Sequence, residues 1–257
     1  MIVIGTAGWA IPTALAARFP GEGPHLARYA RTFGGAEINS SFHRAHRREL
    51  YAKWAALTPA GFRFSVKLPR AITHDARLRG ARRPLAAFLA QASGLGAKLG
   101  PLLVQLPPSL EFETRVARAF FAVLRDMHPG DVVCEPRHTS WLTPRAEAVL
   151  IEHRVGRVAA DPVAAPAAGE PGGYLGPGGD GAQALVYYRL HGAPRRYWDR
   201  YPLERVHAWA NALRRWPRTA RVWCMFDNTA GNGAAENALE CLDAARVRRR
   251  HEVGRLL

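Results

Sequence analysis

Residues 62–67 read FRFSVK, an alternation of apolar and polar side chains that continues into LPRAITH (68–74). In an extended strand, successive side chains point to opposite faces. Phe62, Phe64 and Val66 therefore share one face, while Ser65 and Lys67 share the other. The same test places Glu37 and Asn39 against Ile38, Gln105 against Val104 and Leu106, and Glu135 and Arg137 opposite Cys134. In LVYYRLH (185–191), Arg189 and His191 share a face opposite Val186, Tyr188 and Leu190. Each of these strands keeps one apolar face and ends on charged or amide side chains.

Outward from these stretches, strand-like and helix-like runs alternate from end to end. Strands are expected at 2–6, 36–39, 62–67, 101–106, 132–135, 158–161, 185–191 and 222–227. Helices are expected near 24–33, 47–57, 82–98, 112–127, 143–153, 203–215 and 234–247. Such alternation argues for parallel strands with crossover helices. Eight units within 257 residues match a TIM (β/α)8 barrel spanning 1–257 as a single domain. Periodicity cannot show closure, so a doubly wound open sheet is the alternative. The Pro/Gly/Ala-rich stretch PVAAPAAGEPGGYLGPGGDGAQ (162–183) interrupts the rhythm. It is expected to be a long loop insertion, either a lid or disordered. RVRRRH (246–251) is expected to be a solvated helix end.

The hydrophobic content of 48% is enough for a large core. The three cysteines, Cys134, Cys224 and Cys241, are expected to be reduced core thiols. MIVIGTAGWA lacks a basic segment before its apolar run and reads as a first strand rather than a secretion signal. No apolar run is long enough to cross a bilayer. A cytoplasmic protein without membrane partners, monomeric or weakly oligomeric, is expected. The net charge of +15 comes from 36 basic and 21 acidic residues, yet the only lysines are Lys53, Lys67 and Lys98. That excess suggests an anionic partner or serves solubility.

In a barrel, the polar strand ends would gather at the C-terminal face, with Asp161 and Asp227 closing two more strands. Burying so many charges is costly unless they are paired or solvated; a paired network plugging the barrel mouth is the structural alternative to a site. Basic loops follow the same ends: SFHRAHRR (41–48), RAITHDARLRGARR (70–83) and APRRYWDR (193–200). Tyr197, Trp198 and Trp141 interleave with these charges, a pattern compatible with base stacking but commoner in packing. Dinucleotide, P-loop, CxxC, HExxH and GxSxG motifs are all missing. No cofactor is expected. A divalent-metal set from Glu37, His74, Glu135, Asp161, His191 and Asp227 is conceivable, but Lys67, Arg137 and Arg189 crowd it with positive charge.

Ordered blocks run the length of the chain: GTAGW (5–9), EINSSFHR (37–44), FRFSVKLPRAITH (62–74), LGPLLVQLPPS (100–109), EPRHTSW (135–141), AAD (159–161), YYRLHG (187–192) and FDNTAGNGAAENA (226–238). Together they resemble the domain-of-unknown-function 72 (DUF72, YecE-like) family. The resemblance implies a TIM barrel and supplies no reaction. His43, Pro136 and Asp227 depart from its usual pattern, which has Tyr, an aromatic and Asn there. The resemblance carries over Glu37, Asn39, Lys67, His74, Gln105, Glu135, Arg137, His138, Arg189 and His191 as candidate site residues.

The residues point first to an enzyme acting on a phosphorylated or carboxylated small substrate. Glu135 is the expected general acid/base. Lys67 and Arg189 would hold an anion, and His191 would move protons. Glu37, Asn39, His74, Gln105, Arg137, His138, Trp141, Asp161, Asp227 and Asn228 are expected to line the substrate. The rival reading is a nucleic-acid-binding, possibly nuclease-like barrel using the same basic face.

Overall fold

The structure, a computed structural model, describes residues 1–163, 165–176 and 183–253, with side chains through Arg246. Eight strands fall where alternation places them: β1 (Ile2–Thr6), β2 (Gly35–Ile38), β3 (Arg63–Lys67), β4 (Leu99–Gln105), β5 (Val132–Glu135), β7 (Ala159–Asp161), β9 (Leu185–Leu190) and β10 (Arg221–Phe226). Two more are short, β6 (Gly156–Arg157) and β8 (Gly172–Gly173). The helices are α1 (His25–Thr32), α2 (Arg48–Ala56), α3 (Arg82–Ala92), α4 (Thr114–Met127), α5 (Pro144–Glu152), α6 (Leu203–Arg215) and α7 (Ala234–Val253). Helix α5 shows why such segments start where they do. Thr143 accepts the Ala146 N–H at 3.3 Å and Pro144 opens the first turn, together filling the role of an N-terminal cap.

The strands form two sheets, ordered β1-β10-β9-β7 and β2-β3-β4-β5-β6-β8. All ladders are parallel except β6 with β8. The hydrogen-bonded ladders do not form the single closed ring expected. Two features link the sheets. A parallel bridge pairs Ala7 with Glu37, and Val158 joins β6, on β5, to β7, on β9. The approach of β1 to β2 is close: a Cβ on Gly5 would lie 2.1 Å from the Gly35 carbonyl oxygen.

The core divides accordingly. One large cluster lies between strands and helices, and holds Phe64, Val66, Leu102, Val104, Cys134, Val186 and Phe226. A second contains Val3, Leu103, Val133, Val158, Leu185, Tyr187, Trp223 and Met225, drawn from both sheets. Tyr187 and Trp223 stack within it, with centroids 5.9 Å apart. Gly100 and Gly35 leave room for the indole, since a Cβ on either would come within 2.8 or 3.3 Å of it. All three cysteines are buried and free, and among the described residues no helix is long and apolar enough to cross a membrane.

Within 162–183, the described part is pinned rather than loose. Pro166–Gly169 forms a single 3-10 turn, and Arg157 donates to the carbonyls of Ala167 and Glu170. Strand β8 pairs with β6, and Gly173 N–H donates to Glu147 on α5. Its later part lies beside β6, whereas Pro162 directly follows Asp161 and its carbonyl accepts from Arg196 at 2.8 Å. Residue 164 and residues 177–182 of the expected lid lie outside the described residues, as do the side chains of 247–251 in the expected basic helix end.

Candidate functional site

The alternation that buries Tyr187, Trp223 and Met225 sends Arg189, His191 and Asp227 to the same face two to four positions later. There they meet Glu37 from β2, Lys67 from β3 and Glu135 from β5. Arg189 is fully buried and stands at the centre. Its Nε and Nη2 donate to the two oxygens of Glu37 at 3.0 and 2.7 Å, Nη1 donates to Glu135, and Nη2 donates also to Asp227 at 2.9 Å. The planar guanidinium suits such a fork better than an ammonium would.

A second layer of contacts locks this arrangement. His191 places Nδ1 3.0 Å from Asp227 Oδ2 and Nε2 2.9 Å from Glu135 Oε1. Arg137 donates from Nε to Glu135 Oε1 at 3.1 Å and from Nη1 to the Tyr197 hydroxyl at 2.7 Å. Tyr187 donates its hydroxyl hydrogen to Glu37 at 2.9 Å, leaving Ser65 to donate to the Tyr187 oxygen at 2.6 Å. The carboxylates are thus held by cations and hydroxyls, as buried charges must be.

Lys67 differs. It is 7% exposed, and among the described residues its Nζ has no hydrogen-bond acceptor. Its close neighbour is the Phe42 ring, whose centroid lies 4.0 Å away. Burial, reinforced by the Arg189 charge, pushes its pKa down to about 8, against the opposing pull of Glu37, Glu135 and Asp227. His74 packs its ring 4.8 Å from that of Phe42 and contacts Thr73 Oγ1 through Nδ1 at 2.9 Å. Burial and the charges of Lys67, Arg70 and Arg137 lower its pKa to about 4. Burial alone would raise Glu135, but Arg137, Arg189 and His191 hold it well below the usual carboxylate range. Asp227 is lowered in the same way, with Arg189 the largest opposing influence. Glu135 is therefore a standing anion at neutral pH, poorly matched to the acid/base role expected for it.

The fold brings Glu37, Lys67, Glu135, Arg137, Arg189, His191 and Asp227 into one cluster. His74 stands beside Lys67 across Phe42. Gln105 aligns with Glu135 in register but donates to the Leu106 carbonyl at 2.7 Å. Asp161 turns outward to Arg205. Asn228 donates to Asp199 and Asn237, both at 3.1 Å. Asn39 opens a 3-10 turn (Ser40–Phe42), and its buried Oδ1 has no partner. His138 accepts from the Ser140 N–H and caps a turn. Trp141 is core: 1% exposed, it donates its indole N–H to the Leu110 carbonyl at 2.9 Å and packs on Phe112.

Sequence reasoning placed Ser65 on the face of Lys67 but passed over Tyr187, Phe42 and the Tyr197 contact. Tyr187 was within reach, because alternation that puts Arg189 on a face puts Tyr187 there too. Of the metal set considered, Glu37, Glu135, His191 and Asp227 gather around the Arg189 guanidinium, which engages their three carboxylates, while Asp161 pairs with Arg205. Among the described residues no group of three or more His, Cys, Asp or Glu side chains is placed to hold a metal ion.

Solved structures resemble this chain over nearly its whole length. A DUF72 family protein of Enterococcus faecalis V583 superposes with a TM-score of 0.77 at 21% identity, covering 96% of each chain. One from Thermotoga maritima MSB8 gives 0.74 at 21% identity, covering 95% of this chain and 98% of that one. These likenesses concern the fold. The UPF0759 protein YecE of Escherichia coli K12 is 31% identical over 131 residues, 51% of this chain. That match spans about half the length of the curated relative, 46%. A family model described as protein of unknown function DUF72 matches residues 3–255, and the chain belongs to that family.

Proposed function

We propose that the two sheets make up one (β/α)8 barrel and that the cluster at its strand ends binds a small phosphorylated or carboxylated substrate for acid/base chemistry. The Ala7–Glu37 bridge, the handover at Val158 and the apolar cluster shared by both sheets support the barrel. The observation carrying the site is the Lys67 ammonium, buried against Phe42 and without a hydrogen-bond acceptor among the described residues. Three carboxylates, Glu37, Glu135 and Asp227, face Arg189 and Arg137, and most of their oxygens are engaged. Among the described residues Lys67 Nζ has no hydrogen-bond acceptor, although the charges of Glu37, Glu135 and Asp227 act on it. An incoming phosphate or carboxylate would supply that acceptor.

The roles follow. Lys67 and Arg137, whose side chain is 13% exposed, contact the anion. Arg189 and Glu135 position them. Lys67, with a pKa near 8, is the better-tuned proton-transfer group than Glu135. The free thiols of Cys134, Cys224 and Cys241 fit a cytoplasmic setting.

The test is a thermal-shift series with inorganic phosphate, sulfate and small phosphorylated and carboxylated metabolites on wild type and Lys67→Met. Stabilisation of wild type that disappears in the variant is expected. Equal stabilisation of both proteins would overturn the reading. Stabilisation by oligonucleotides alone, steeply weakened by salt, would favour the nucleic-acid alternative.

A further inference from the structure

We infer that Lys67 is a covalent attachment point, its Nζ forming an imine with the carbonyl carbon of a small anionic aldehyde or α-keto acid. This rests on the anion-site reading above and names the class of substrate.

Lys67 is unlike the other two lysines. Lys98 spends its hydrogens on the carbonyls of Ala55 and Thr58 and on the Thr58 hydroxyl. Lys53 lies exposed on α2. Lys67 is buried, keeps its nitrogen free of acceptors among the described residues, and rests against Phe42 at 4.0 Å. A cation meant only to hold an anion could be arginine, which this chain uses nearly everywhere: lysines are three of its 36 basic residues. Guanidinium, however, does not become a nucleophile, whereas a desolvated amine does. With a pKa of about 8, roughly a tenth of the side chain is the neutral amine at pH 7.

The step balances without an external oxidant or reductant. The nitrogen lone pair attacks the carbonyl carbon, forming the C–N bond as the carbonyl π pair moves to oxygen. Proton transfer from the nitrogen to that oxygen through solvent gives the carbinolamine, and a second proton on the oxygen lets it leave as water. The nitrogen lone pair then forms the C=N bond, and the nitrogen loses to solvent the second of the two protons that the neutral amine carried. Amine and carbonyl become imine and water.

The experiment treats the full chain with glyoxylate or pyruvate and sodium cyanoborohydride, which reduces an imine to a stable secondary amine. Peptide mass mapping then reads occupancy at each lysine. Labelling of Lys67 at least about tenfold above Lys53 and Lys98, rising from pH 6 to pH 9 and absent in Lys67→Arg, is expected. The groups setting that pH dependence are Arg189, Glu37, Glu135 and Asp227. Labelling spread evenly over the lysines, or none at Lys67, would overturn the inference. If inorganic phosphate still stabilises wild type in that case, the anion site stands and only the imine falls. If phosphate fails too, both fall.

Discussion

Arg189 meets Glu37 through two nitrogens, Nε at 3.0 Å and Nη2 at 2.7 Å, with both side chains wholly buried. The pair crosses from one sheet to the other, since Arg189 belongs to β9 and Glu37 to β2. Removing the guanidinium would strand Glu37, Glu135 and Asp227 together in the interior. Arg189→Met should therefore lose about 3–5 kcal/mol of stability, measured by urea denaturation at neutral pH. A loss under about 1 kcal/mol would mean that the three carboxylates are not held as described.

Lys67 should behave in the opposite sense. Its pKa falls from the ordinary 10.5 to about 8 on folding, so the folded state binds its proton less well than the unfolded state. The penalty is complete below pH 8 and is relieved as pH rises toward 10.5, an effect on the order of 3 kcal/mol. Lys67→Met should be more stable than wild type at pH 7, and the difference should shrink above pH 8. Stability curves that stay parallel across that range would contradict it.

Acid should act through Glu135. Its folded pKa lies well below the usual 4.5, so it contributes stability above that pH and loses the contribution as pH drops through the folded value. Wild type should weaken progressively below about pH 4.5. Glu135→Gln should start about 3 kcal/mol less stable at pH 7 and show a shallower acid limb in denaturant titrations.

The junction of β1 and β2 offers a test without charge. Gly5→Ala would set a methyl 2.1 Å from the Gly35 carbonyl and 2.9 Å from the Tyr29 hydroxyl. Backbone cannot yield there as a flexible side chain could. The variant should lose about 3 kcal/mol or more. Thermal unfolding within a degree of wild type would show that the two strands can part at little cost.

What was legible in the sequence was local. Period-two alternation located β5 at 132–135 and β9 within a residue of its end, because one face of each strand is continuously apolar. The same alternation brought Glu37, Lys67, Glu135, Arg137, Arg189 and His191 to one face. Partner choice was not legible: nothing near Asp161 in sequence announces Arg205, 44 residues on. Trp141 was misread for a related reason. Its neighbours Arg137 and His138 are polar, but its indole satisfies Leu110, 31 residues earlier. The two-sheet hydrogen bonding was also hidden, since Val158 changes partners inside a run that reads as one strand.

The stacked Tyr187 and Trp223 rings give the charged cluster a floor of hydrocarbon and leave relief only toward the strand ends. Low-polarity matter on one side and water on the other make field lines leave chiefly through the wet side. An anion approaching that mouth should be steered in, at a rate that falls as added salt shortens the screening length. Two rings that touch no ligand would in this way help set how fast one arrives.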